Sequence, residues 1–433
     1  MDKFIIRGGR PLTGEIKLAG AKNAATKMLI VSLLTDEECV FENFPRIGDA
    51  EIVKELCVAL GSEIKSIDSN LVIRTPEIKN TKAISLNQKN RVSILALGPL
   101  LNRAGEAEVP IVGGDKIGPR PVDMHLESLK ALGAEIEASP DSYKARITGR
   151  LKGATIALKY PSVGATEQII FASVLAEGKT TIINSAVEPE ITDLIKMLQK
   201  MGAIIEIGTN RTVTIYGVPK LHGARHKVLP DRNEAVSFAC LAVATNGKIL
   251  VKGADQGDLI TFLNNLRRIG GEYEVTSEGI LFFRARPLTG IKLETDTHPG
   301  FMTDWQQPFL TMLTQAQGES IIHETVYEAR FGYIEDLNLM GADIRVVNEC
   351  LSEVPCRFKE KNCPHSAIVK GPTKLHSATL TVPDLRAGIA HVLAALIAEG
   401  ESEILGVHEI DRGYEKIVER LSFLGADIKR VSN

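Results

Sequence analysis

Apolar residues along the chain follow two alternating rhythms. Short runs rich in β-branched residues, such as Thr180-Thr-Ile-Ile183 and Ile249-Leu-Val251, predict buried strands. The opening stretch, MDKFIIRGGRPLTGEIKL, also alternates as a strand does. Between strands lie helical patterns. Ile191, Leu194, Ile195 and Leu198 recur at i, i+3, i+4 and i+7 and place one apolar stripe on a helix, and Leu126, Leu129 and Leu132 do the same. Each such helix runs into a glycine, the residue that most easily adopts the left-handed conformation closing a helix. A new strand starts directly after it.

This grammar repeats six times. The closing motifs are Leu60-Gly-Ser-Glu-Ile64, Leu132-Gly-Ala-Glu-Ile136, Met201-Gly-Ala-Ile-Ile205, Ile269-Gly-Gly-Glu-Tyr273, Met340-Gly-Ala-Asp-Ile344 and Leu424-Gly-Ala-Asp-Ile428. Their first glycines stand at 61, 133, 202, 270, 341 and 425, so the intervals are 72, 69, 68, 71 and 84 residues. A unit of ~70 residues is too large for a solenoid repeat and small for an independent domain. Six units divide into two groups of three, with the break expected in the aperiodic segment 221–232. The long last interval places an irregular surface excursion at Cys350–Pro372. The pattern predicts an α/β protein of two similar lobes with a cleft between them, a usual place for a ligand. By itself it says nothing about chemistry.

Composition narrows the class. The chain has 433 residues, enough for two large domains, with 44% hydrophobic and 24% charged residues. A net charge of −3 gives no reason to expect nucleic acid as a partner. No apolar run reaches the ~18 residues of a membrane span, and the first residues lack the apolar core of a signal peptide. A cytoplasmic location is expected. Among six cysteines, Cys39, Cys57 and Cys240 lie in apolar surroundings and read as buried thiols. Cys350, Cys356 and Cys363 form C-x5-C-x6-C with His365 nearby. Zinc sites favour shorter pairings such as C-x2-C, so this segment reads as a loop insertion, and no metal site is expected.

Four segments carry candidate chemistry. In Leu18-Ala-Gly-Ala-Lys-Asn-Ala-Ala-Thr26, small residues surround Lys22 and Asn23 ahead of an apolar helix over Met28–Leu34. A lysine at a helix N-terminus opposes the dipole unless an anion sits between them; the alternative is a solvated surface lysine. In Val109–Asp123, Gly113, Gly114 and Gly118 bracket the tip Asp115-Lys116, and Pro119 and Pro121 stiffen the far end around Arg120. This describes a hinged lid or a glycine-rich turn, with Asp123 placed to cap the next helix. It matches neither a dinucleotide fingerprint nor a Walker motif. In Thr297–Pro308, Asp304 precedes the single tryptophan, Trp305, and reads as a general base or as a cap for the helix Phe309–Leu313. In Val382-Pro-Asp-Leu-Arg386-Ala-Gly-Ile, Arg386 opens a long apolar helix.

Together these segments resemble the UDP-N-acetylglucosamine 1-carboxyvinyltransferase family of enolpyruvyl transferases. The resemblance rests on A-K-N-A-A at Lys22-Asn23, the loop G-G-D-K-I-G-P-R-P-V-D, the segment around Asp304 and D-L-R-A at Arg386. Ser162-Val-Gly-Ala-Thr166, Glu188-Pro-Glu-Ile-Thr-Asp193, Glu324-Thr-Val-Tyr-Glu328 and Asp411-Arg-Gly-Tyr-Glu415 extend it from about residue 3 to residue 430. It implies an inside-out α/β barrel of two lobes, each of three repeats: a first lobe over 22–229 carrying a mobile catalytic loop at 111–121, and a second over 1–21 plus 230–433. It implies transfer of the enolpyruvyl group of phosphoenolpyruvate to the 3-hydroxyl of UDP-N-acetylglucosamine, the first committed step of peptidoglycan precursor synthesis, with no redox cofactor or metal. It assigns Lys22, Arg120 and Arg386 to the phosphoenolpyruvate anions and Asn23 to both substrates. Arg91, Arg120, Pro121, Val122, Asp123, Met124, Ser162, Val163, Gly164 and Val326 fall to the UDP-sugar, and Asp304 to the 3-hydroxyl proton. Oligomeric state is not implied.

Two positions depart from the family pattern. Many members carry cysteine where this chain has Asp115, and a carboxyl with a reference pKa of about 3.9 must be protonated to act as an acid. Lid closure and a nearby phosphate would raise that pKa; Lys116 and Arg120 would lower it. Without the thiol, insensitivity to the epoxide fosfomycin is expected. Tyr160 stands where relatives often have lysine. The rival readings are enolpyruvylshikimate-phosphate synthase, whose serine- and arginine-rich signatures near the start are missing here, and a non-catalytic UDP-sugar-binding paralogue.

Overall fold

The computed structural model describes residues 2–67, 70–83, 91–111, 121–353 and 356–432. They form two compact units, one of residues 2–19 and 230–432, the other of residues 20–111 and 121–229. Each unit has its own hydrophobic core. The fold is mixed α/β.

Six sheets are present among the described residues, three in each unit. Five share one plan. In the sheet at the end of the unit 20–229, Thr155–Ala157 runs parallel to Lys179–Ile183, which pairs antiparallel with Val213–Tyr216, which pairs antiparallel with Ile204–Ile207. The sixth keeps the antiparallel part, Glu106–Pro110, Ser142–Arg146 and Glu135–Ala138, and reduces the parallel strand to a single bridge, Lys82 to Glu108. Three sheets recruit strands from far along the chain. Thr13–Lys17 runs parallel to Lys248–Lys252. Arg225–Lys227 supplies the parallel strand beside Cys39–Glu42. Lys3–Arg7 inserts between Glu401–Leu405 and Asp427–Val431, antiparallel to both.

Helices fall into two kinds. Lys22–Ser32, Val163–Ser173, Arg232–Ala244, Gln306–Leu313 and Leu385–Ile397 are buried around most of their circumference. A helix apolar on every side has no solvent face to keep, so it belongs inside. In the unit 230–432, three of these pack on one another. Pro189–Lys200 instead buries one stripe, as its spacing predicts, and Gln256–Ile269 does the same. The six motif glycines all have positive φ, between 95° and 117°. A side chain there would be strained, which explains why glycine recurs where each helix must stop.

Two local expectations are corrected. The first helix begins at Lys22 rather than Met28, because Lys-Asn-Ala-Ala-Thr contains nothing that breaks a helix. Asp123 does not cap the helix Asp123–Ala131; it is its first residue, and Val122 occupies the cap position. There its carboxylate complements the helix dipole without a capping bond.

Candidate functional site

In the unit 20–229, Lys22 opens its helix with Ala21 at the cap position and no side-chain cap. Its Nζ lies 2.8 Å from the Asp49 carboxylate, which sits in the first turn of Gly48–Leu60. Asn23 follows, half-buried. One turn on, Lys27 reaches the buried Glu167 at 3.8 Å. Glu167, Glu188 and Glu190 are all buried. Desolvation raises the Glu167 pKa to about 7; Lys27 opposes this, and the charges of Glu188 and Glu190 add to it.

A second group forms around the start of Val163–Ser173. Ser162 caps this helix, its hydroxyl accepting from the amide of Ala165. The backbone of Gly164 lies against the His125 ring, so that a Cβ on Gly164 would come within 2.9 Å of His125 Cε1. His125 is buried, and desolvation, helped by the charge of Arg91, lowers its pKa to about 4. Arg91 donates to the carbonyl of Pro121 at 3.4 Å. The structure therefore groups Arg91, Pro121 and, through His125, Gly164. Val122 is buried and Met124 half-buried in the same segment.

The unit 230–432 holds the other candidates. Asp304 lies in a single helical turn, Thr303–Trp305, and the cap position of the following helix, Gln306–Leu313, falls to Trp305 with no side-chain cap bond. Arg386 Nε donates to its Oδ2 at 3.1 Å, and Arg330 Nη2 donates to its Oδ1. Arg386 is the second residue of Leu385–Ile397, whose cap Asp384 accepts from the Arg386 and Ala387 amides. Burial works against the charges of Arg386 and Arg330, but Asp304 and other nearby groups more than offset it and raise both pKa values. Beneath them, Glu324 is fully buried. It accepts from the Thr303 hydroxyl at 3.0 Å and from the Val326 and Tyr327 amides at 2.8 and 3.1 Å. Burial raises its pKa against these bonds and Arg330. Glu324 thus ties the Asp304 turn to the loop bearing Val326.

Two guanidiniums converging on one carboxylate from buried positions make a cationic patch with an acceptor at its centre. Such a patch suits a multiply charged anion carrying a transferable proton nearby. Asp115 and Arg120 lie outside the described residues. The sequence reading did not find Asp49, Arg330, Lys27 or Glu167. The sequence marks the segment around Glu324 but not the hydroxyl and amides that this carboxylate holds.

A family model described as EPSP synthase (3-phosphoshikimate 1-carboxyvinyltransferase) matches residues 6–421. A protein named UDP-N-acetylglucosamine 1-carboxyvinyltransferase from Protochlamydia amoebophila is 48% identical, covering 100% of this chain and 95% of that protein. The protein of the same name from Chlamydia pneumoniae is 49% identical over 96% and 93% of the two chains. Among solved structures, the enolpyruvyl transferase NikO from Streptomyces tendae superposes with a TM-score of 0.86 at 23% identity, covering 100% of this chain and 99% of that one. An EPSP synthase from Acinetobacter baumannii gives 0.76 at 18% identity, with each chain fully covered.

Proposed function

Since this chain belongs to the UDP-N-acetylglucosamine 1-carboxyvinyltransferase family of enolpyruvyl transferases, we propose that it moves the enolpyruvyl group of phosphoenolpyruvate onto the 3-hydroxyl of UDP-N-acetylglucosamine and releases phosphate. The observation that carries this reading is near-half identity, over essentially the whole chain, to proteins bearing that name. Its place would be early peptidoglycan precursor synthesis, in the cytoplasm. No helix among the described residues is long and apolar enough to cross a membrane.

Lys22, Arg120 and Arg386 bind the phosphoenolpyruvate anions, and Asn23 places both substrates. Asp115 protonates the methylene carbon. The sugar 3-hydroxyl attacks the cationic carbon that results, and Asp304 takes its proton. Loss of the methyl proton expels phosphate and restores the double bond. Arg91, Pro121, Val122, Asp123, Met124, Ser162, Val163, Gly164 and Val326 hold the UDP-sugar. The convergence of Arg386 and Arg330 on Asp304 supports this assignment: cations in a buried setting stabilise developing charge far better than on open surface. The Lys22–Asp49 pair keeps the ammonium oriented at its helix start. Six sheets, three per unit, with the apolar helices inside, support reading the units as lobes of three repeats in an inside-out barrel, divided at 22–229 and 1–21 plus 230–433.

The family model's description favours a second acceptor, 3-phosphoshikimate. Phosphate release measured with phosphoenolpyruvate and either acceptor separates the two readings. The expected result is release with UDP-N-acetylglucosamine and none with shikimate 3-phosphate or with phosphoenolpyruvate alone. Release only with the shikimate ester would overturn the assignment. Binding of the UDP-sugar without turnover would leave a non-catalytic paralogue.

A further inference from the structure

Beside the sheet that pairs Gly318–His323 with Ser366–Gly371, His323, Cys350, Cys356 and His365 gather their ligand-capable atoms within 4.8 Å of one another. We propose that these four residues bind one zinc ion in a closed structural site. The spacing of the cysteines alone hides the site, because one ligand, His323, comes from a strand 27 residues before Cys350.

The two imidazoles are set up as ligands. His323 ends the strand Gly318–His323, directly opposite Ser366 on Ser366–Gly371. Its Nδ1 is 2.8 Å from Ser366 Oγ, whose own hydroxyl donates to the carbonyl of Glu349 at 2.7 Å. With that proton committed, Ser366 can only accept, so His323 carries its proton on Nδ1 and presents the Nε2 lone pair. Nε2 lies 3.8 Å from Cys350 Sγ. His365 Nδ1 is 2.8 Å from the carbonyl of Cys363, which also can only accept. Its Nε2 is likewise left as a lone pair, fully buried and without a hydrogen-bond partner. A buried acceptor with no donor costs stability unless something satisfies it. Histidines that bind metal through one nitrogen have the other held in this way.

The donor set selects the metal. Two thiolates and two imidazoles in tetrahedral array suit zinc. Zinc–ligand bonds of about 2.0 to 2.3 Å place tetrahedral ligands about 3.3 to 3.8 Å apart, so this cluster need tighten by only about 1 Å. Binding would release the two thiol protons. Four protein ligands leave no position for a reacting water, so the role is structural. The amide of Phe358 already donates to Cys356 Sγ at 3.3 Å, a bond that would help carry thiolate charge.

The ion would fasten the segment 348–365 at three of its points. From that segment, Arg357 donates to the carbonyls of Thr325 and Val326, and Lys361 pairs with Glu328 at 2.9 Å. The zinc would thereby brace the loop that Glu324 holds from the other side.

The test uses the full chain, expressed with zinc in the medium and purified under reducing, chelator-free conditions. Plasma mass spectrometry should give about one zinc per chain, and a Cys350→Ser/Cys356→Ser variant should lose it and melt at lower temperature. Because that variant could fail to fold, chelator-stripped wild-type protein is also titrated with cobalt(II). A tetrahedral ligand-field spectrum with a thiolate charge-transfer band supports the site. Equal zinc in wild type and variant overturns it. So does a wild-type chain that shows no such cobalt band, including one two hydrogens lighter through a Cys350–Cys356 disulfide.

Discussion

Arg386 Nε donates to Asp304 Oδ2 at 3.1 Å. The residue proposed to hold the anionic donor is thus already bonded to the residue proposed to take the acceptor's proton. On that proposal, phosphoenolpyruvate would meet a guanidinium whose Nε is already engaged by Asp304. Drawing Arg386 towards the donor would loosen its hold on one carboxylate oxygen, while Arg330 keeps the other in place. Binding of one substrate would then prepare the base for the other.

Asp304→Asn keeps the shape and removes the base. Turnover should fall by ~10²- to 10⁴-fold, the usual worth of general base catalysis, with UDP-sugar affinity little changed. Steady-state phosphate release and titration calorimetry read the two quantities. Near-normal kcat would remove Asp304 from the proton transfer.

Asp115 is tested by its own amide. Asp115→Asn should abolish turnover while UDP-sugar binding survives, because a carboxamide cannot deliver a proton. The same position predicts poor inactivation by fosfomycin, with no stoichiometric adduct in the intact mass of the treated protein. A full adduct would place the reactive nucleophile elsewhere.

Glu167 makes stability depend on pH. Its carboxyl titrates near 4.5 when the chain is unfolded and near 7 when folded. Between these values the folded state binds the extra proton, so the stability it confers is complete below about 4.5 and lost as pH rises through about 7. The full loss is about 3 kcal/mol. Urea unfolding of wild type and Glu167→Gln at pH 5 and pH 8 should show a fall in the wild type that the variant lacks. Parallel profiles would refute it.

Gly164→Ala would push a methyl to 2.9 Å from the His125 ring. Overpacking of this kind costs ~1 to 3 kcal/mol, and relief requires the helix start or the ring to move. UDP-sugar affinity should drop at least ~10-fold. His125→Ala in the same chain should restore part of it, which binding calorimetry can follow.

Local order was plain from the residues. Glycines at helix ends, β-branched runs and the i, i+3, i+4 stripes depend only on neighbours in sequence, and they placed Lys22 and Arg386 near helix starts. Partners were not plain. Asp49 reaches Lys22 from another helix, and Arg330 reaches Asp304 across 26 residues of chain. No periodicity encodes such pairings; only packing decides them. Asp304 shows the ambiguity best, since an aspartate before a helix reads as a cap until its arginines are seen. Cys350 and Cys356 likewise looked like an isolated loop without His323.

The strand Lys3–Arg7 is the filling between Glu401–Leu405 and Asp427–Val431, and both flanks leave the ribosome about 400 residues after it. At ~5 to 20 residues per second, the first strand waits about 20 to 80 s for its partners. Throughout that time the apolar side chains of Phe4, Ile5 and Ile6 have no native cover, and the strand has no native neighbour for its backbone. The nascent chain is therefore exposed to mispairing at Lys3–Arg7, and chaperone capture should concentrate on that strand rather than on the newest residues.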